Sequence, residues 1–176
     1  MPEVNYHLVS NDADLNLCEH LKRMNIFHGW KECMEVTGAI GYHPSVEIHI
    51  ADTGSKQHED LPVPANGTWN YIDDQGTYHG PMCYAIVKAK MGNGLGGAGI
   101  APDATVYADI DSSYSEWTAV ASHLQHSKGK IASISWGPWG NDGIDCRTDP
   151  AFAGWQALID QSVADGGLLV YASGDA

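Results

Sequence analysis

Basic residues are scarce in this chain: 9 Lys and Arg stand against 22 Asp and Glu over 176 residues, a formal charge of −13. That balance disfavours nucleic acid and anionic membrane surfaces and favours cationic ligands such as metal ions or basic peptides. Long apolar runs are missing too. None approaches the roughly 18 residues a membrane helix needs, and Met1-Pro2-Glu3-Val4 shows neither the basic nor the apolar stretch of a signal peptide. Cysteine is limited to Cys18, Cys33, Cys83 and Cys146, with no CxxC pair and no tight His/Cys cluster, which excludes the usual structural zinc patterns. No linker, repeat or low-complexity tract interrupts the chain.

What is present suits one globular domain: 43% hydrophobic residues with 20 Gly and 8 Pro, in a chain long enough to bury a core. Four short apolar runs read as strands, at Val46–Ile50, Ala104–Ile110, Ile131–Ser135 and Leu168–Ala172. Between the last three, Trp117/Val120/Ala121/Leu124 and Trp155/Leu158/Ile159/Val163 have helical spacing. A further helix is expected from His79 toward Met91, where a Gly-rich stretch stops it, and a helical patch around Leu17 to Trp30. Alternating strand and helix predicts an α/β fold, a parallel sheet with helices on both faces. Residues 1–45 form a lead-in and 46–176 the core, and the sheet is expected to be cut short, because a strand is still being added when the chain stops at Ala176.

In open α/β sheets functional groups gather where strands end and helices begin. Asp52, His79, Ser135-Trp136-Gly137 and Ser173-Gly174-Asp175 all fall at such places. An acid that orients a histidine, which serves a nucleophile in turn, is an arrangement for acyl transfer. Asn66-Gly67-Thr68 adds a glycosylation sequon, consistent with a secretory route.

From about Tyr6 to Ala176 the chain resembles the subtilisin-like serine proteases, and among them the kexin and furin branch of proprotein convertases. The resemblance is carried by IADTG at 50–54, YHGPMC at 78–83, NGLGGAGIAPDATVYA at 93–108, SISWGPWGNDG at 133–143 and LVYASGDA at 169–176, in order and at compatible spacings. It implies a secreted serine endopeptidase acting on protein or peptide substrates, with a propeptide as a further partner. Asp52 would orient the imidazole and His79 would act as general base and then general acid. The nucleophilic Ser would lie beyond residue 176, within a Gly-Thr-Ser motif, so that this fragment alone would be inactive. The backbone of Ser135, Trp136 and Gly137 would pair with an extended peptide, and Asn141-Asp142 aligns with the acids of the primary pocket. Asp175 stands where the family has an Asn that donates to the oxyanion. Cys83 matches a family cysteine near the catalytic pair.

The resemblance also implies a structural Ca²⁺ held by Asp60, the Asn93 side chain and the carbonyls of Lys90, Leu95 and Gly97, oxygen donors that suit this cation. A further family carboxylate would precede Met1, leaving the site one ligand short. Convertases that cut after basic residues carry acids where this chain has Thr53 and Gly76-Thr77. Two other readings compete: a catalytically inactive subtilisin-like domain that binds a partner or calcium, and, more remotely, an aspartic protease, suggested by Asp-Thr-Gly-Ser at 52–55 but belonging to a nearly all-β fold.

Overall fold

The computed structural model describes residues 11–40, 46–71, 76–110, 130–135 and 150–172. After a single 3₁₀ turn at Leu15–Leu17, the chain forms α1 (Glu19–Arg23) and α2 (Ile26–Thr37). The patch expected as one helix is thus divided, and the division lies at Asn25, whose φ of 55° leaves the right-handed helical region. α2 ends where Gly38 takes φ 73° and returns its N–H to the Met34 carbonyl, a turn that suits a residue without Cβ. Leu21, Phe27 and Trp30 point inward and cluster with Leu15, Ile40 and Ala98. The Trp30 indole N–H donates to the Ile100 carbonyl at 2.7 Å, tying these helices to a segment 70 residues further along the chain.

The central sheet consists of β1 (Glu47–Asp52), β4 (Thr105–Ile110), β5 (Ile131–Ile134) and β6 (Leu168–Tyr171), in the order β4-β1-β5-β6 with every pairing parallel. A short antiparallel ladder of β2 (Gly54–Ser55) and β3 (Asn70–Tyr71) stands beside it, with no counterpart in the sequence reading. α3 (His79–Lys88) and α4 (Pro150–Ala164) complete the described elements. α3 stops short of the expected Met91 because Ala89 turns to an extended conformation, φ −51° and ψ 138°. The helix expected around Trp117 to Leu124 lies outside the described residues.

Side chains alternate across β1 and sort the core into two layers. Ile50 joins Val106, Ala108, Leu61 and the α3 residue Tyr84 on one face. Ala51 joins Ala132 and Ile134 on the other, where Ile159 of α4 packs. Burial on both faces is what a parallel sheet requires. Two polar residues in β1 have local partners. His49, only 5% exposed, stacks on Tyr107 at 4.5 Å, and the partly exposed Glu47 pairs with Lys130. Lys130 also holds the Glu47 carboxyl below its ordinary range, chiefly by hydrogen bonding.

Strand order positions the site. The chain passes from β1 to β4 on one side, then returns to place β5 on the other. The carboxyl ends of β1 and β5 therefore flank a topological switch point, where open α/β sheets form their ligand crevice.

Candidate active site

Asp52 is the last residue of β1 and is 3% exposed. It shares the face of Ile48 and Ile50, which directs it toward α3. Burial of an unpaired carboxylate would be costly, and this one is paired. The Thr53 N–H donates to Oδ1 at 2.7 Å, and His79 Nδ1 lies 3.0 Å from Oδ1 and 2.9 Å from Oδ2. An ionised carboxylate can only accept, so in the neutral imidazole this contact puts the proton on Nδ1 and the lone pair on Nε2. The His79 side chain is 53% exposed, so the pair has a sheltered acid and an accessible base.

The entry to α3 holds this geometry. Tyr78 precedes the helix at φ 54°, an uncommon conformation for a bulky residue, and swings the chain so that His79 begins the first turn. Pro81 sits in that turn, where a missing N–H costs no helical hydrogen bond. The Gly80 N–H donates to Thr53 Oγ1 at 2.9 Å. Thr53 is buried and links the end of β1 to the start of α3, satisfying one of the helix's unpaired amides. Thr53, noted above for lacking a charge, serves the backbone through its hydroxyl.

Cys83 lies one turn after His79. Its Sγ is 3.7 Å from His79 Nδ1 and 3.7 Å from Ser135 Oγ. Burial pushes the thiol above its ordinary range, and the Asp52 charge adds to the effect. The thiol therefore stays protonated near neutrality, and a reactive thiolate is disfavoured. Ser135 follows β5, its N–H reaching the Ala51 carbonyl at 3.4 Å. The structure thus brings Asp52, His79, Cys83 and Ser135 to one crevice. Trp136, Gly137, Asn141, Asp142 and Asp175 lie outside the described residues.

The expected cation site forms a second locus. Asp60 is 8% exposed; its Oδ1 accepts from Asn93 Nδ2 at 2.7 Å, and its carbonyl accepts from the Lys90 N–H at 2.8 Å. Asn93 Oδ1 in turn accepts from the Leu95 N–H at 2.9 Å. Gly96 takes φ 47°, and a Cβ there would fall 2.6 Å from Asp60 Oδ2, so the loop can close over this carboxylate only with glycine. Gly97 is packed as closely against Cys18. Asp12, which the sequence did not single out, accepts from the N–H groups of Gly92, Asn93 and Gly94 at 2.9, 2.9 and 3.2 Å. Burial, reinforced by the Asp12 charge, raises the Asp60 pKa against the opposing Asn93 hydrogen bond. Two carboxylates and a side-chain amide around one loop match the donor chemistry of a hard cation. Asp12 had no signal of its own, since it falls in a segment without readable periodicity.

Residues 37–176 match the profile of the subtilase family, Peptidase S8. Thermitase of Thermoactinomyces vulgaris is 32% identical over 143 residues, which are 74% of this chain and 47% of that protein. Neuroendocrine convertase 2 of Drosophila melanogaster is 29% identical over 145 residues, 76% of this chain and 21% of that protein. The chain thus spans at most about half the length of these relatives. Among solved structures, MycP1 from Mycobacterium smegmatis has a TM-score of 0.60 at 17% identity, covering 100% of this chain and 48% of that one. MycP1 with its N-terminal propeptide removed has a TM-score of 0.60 at 21% identity, covering 89% and 49%. At such identities the structural likeness concerns the fold, the parallel α/β arrangement described above, which leaves no room for a nearly all-β aspartic protease.

Proposed function

The chain belongs to the subtilase family, and from that premise we propose that it carries the acid–base half of a serine endopeptidase of the kexin/subtilisin-like type. The observation that supports this most is the contact of both Asp52 oxygens with His79 Nδ1. Nε2 then takes the proton of a serine hydroxyl as that oxygen attacks a peptide carbonyl. Asp52 stabilises the imidazolium that results, and Nε2 returns the proton to the departing amine. The family resemblance implies a Gly-Thr-Ser setting for that serine.

Ser135 follows β5, and by the family resemblance the backbone of Ser135, Trp136 and Gly137 would pair with an extended peptide as an added strand. Asn141 and Asp142 would line its primary pocket. The convertase relative supports placement near the kexin branch, although Thr53 engages Gly80 and offers no charge to a basic side chain. Asp60, Asn93 and Asp12, with the carbonyls of Lys90, Leu95 and Gly97, would hold a structural Ca²⁺, whose charge would relieve the repulsion between the two carboxylates. A secretory location follows from the family resemblance. Among the described residues no helix is long and apolar enough to cross a membrane.

The test is labelling of the full-length protein by a fluorophosphonate, which reacts with a serine activated by a general base. Labelling that is lost in His79→Ala is expected. Absence of labelling in the unaltered protein would favour a catalytically inactive domain instead.

A further inference from the structure

Lys56 follows β2 and stands over two tyrosines, its Nζ 4.9 Å from the Tyr78 ring centroid and 5.6 Å from that of Tyr71. The rings stack at 5.9 Å with planes 15° apart. Among the described residues no carboxylate pairs with Lys56, although the chain carries a charge of −13. A π-face neutralises none of the ammonium charge and accepts no full set of its three N–H groups. The cation is therefore fixed in place while retaining capacity for an anion.

That ammonium borders an open cavity of about 440 Å³. Leu61, Tyr78, Pro81, Met82 and Ala85 supply its apolar wall. His58 and Asp60 also line it, with Asp60 Oδ1 engaged by Asn93 and the Asp60 N–H directed to His58 Nδ1 at 3.1 Å. Tyr78, Met82 and Ala85 fall on one stripe of α3. At about 100° per residue, this stripe adjoins the one bearing His79 and Cys83. Tyr78 and Met82 are 45% and 53% exposed, so the wall is open to a ligand. Tyr78 is joined directly to His79, so whatever occupies the cavity is positioned relative to the base.

We propose that this cavity is a specificity subsite for an acidic side chain of a peptide substrate, with the aliphatic stem against Tyr78, Met82 and Ala85 and the carboxylate on Lys56 Nζ. The inference rests on the peptidase reading and adds the substrate class. A basic side chain is disfavoured by the fixed ammonium at the same rim. A neutral one gains only the apolar wall.

The test is a positional scan on the full-length enzyme, using peptides that carry Glu, Gln or Lys at each position around one cleavable bond. Wild type should prefer Glu over Gln at one position by about fivefold in kcat/KM, the scale of a partly exposed ion pair, and less so at high salt. Lys56→Met should abolish that preference, and Lys56→Glu should reverse it toward Lys. A purely structural role for Lys56 would not produce the reversal. Cleavage with no position whose Glu/Lys ratio responds to Lys56→Glu would overturn the subsite while leaving the peptidase reading intact. Absence of any cleavage by wild type would overturn both.

Discussion

Gly80→Ala tests whether contact between the end of β1 and the start of α3 sets the catalytic geometry. A Cβ at Gly80 would fall 2.5 Å from the Gly54 carbonyl oxygen, 2.6 Å from Thr53 Oγ1 and 2.9 Å from the Gly54 nitrogen. Two of these three atoms are backbone, so relief requires the helix start to move by about 1 Å. Overpacking of this kind costs about 1–3 kcal/mol, and loss of the Gly80–Thr53 hydrogen bond adds about 1 kcal/mol. Alanine's better helix propensity returns about 1 kcal/mol, which leaves a net destabilisation of about 1–3 kcal/mol. Gly29→Ala provides the contrast. It lies within α2, and a Cβ there meets nothing within 4 Å. Propensity then acts alone, and stability should rise by up to about 1 kcal/mol. Urea melts of the two variants should therefore shift in opposite directions. A displacement of about 1 Å in His79 should also reduce turnover on the order of 10²-fold. A Gly80→Ala protein as stable and as active as its parent would refute the claim that this contact positions the histidine.

The cation locus gives a prediction with a definite sign. Burial, with the Asp12 charge, raises Asp60, so the folded state binds its proton more tightly than the unfolded state. Its stabilising contribution is present below the unfolded carboxylate pKa and is lost as pH rises through the folded value. Ca²⁺ at 100 times its Kd should add about 2.7 kcal/mol near neutrality, and Asp60→Asn should remove most of that gain; melts unmoved by Ca²⁺ would exclude the cation. At Asp175 an ionised carboxylate has no proton to donate to an oxyanion, so Asp175→Asn in the complete enzyme should raise kcat near pH 7 and flatten an acidic preference. An unchanged pH profile would show that this side chain is not the limiting donor.

The sheet was legible in the sequence because its strands are short apolar runs separated by turn residues, a signal local to each strand. β1, β4, β5 and β6 were placed to within a few residues. The β2–β3 ladder escaped because two-residue strands leave no periodicity to read. The break at Asn25 escaped because a left-handed residue inside an apolar helical pattern is compatible with either outcome until packing decides. Asp52 and His79 were found from strand-end and helix-start positions together with the family motifs. The capping role of Thr53 and the approach of Asp12 to the Asn93 loop depend on contacts between distant segments, which side-chain spacing does not encode.

The central claim is that Asp52 and His79 act as one proton-transfer unit in peptide hydrolysis. Its most direct test is kcat/KM of the full-length protein and its His79→Ala variant on the same peptide, with folding of both verified by melting. A loss of at least about 10³-fold is expected, since a general base in such a unit supplies orders of magnitude. A variant that turns over within about tenfold of the parent would contradict the account, because the proton would then be moving through another group.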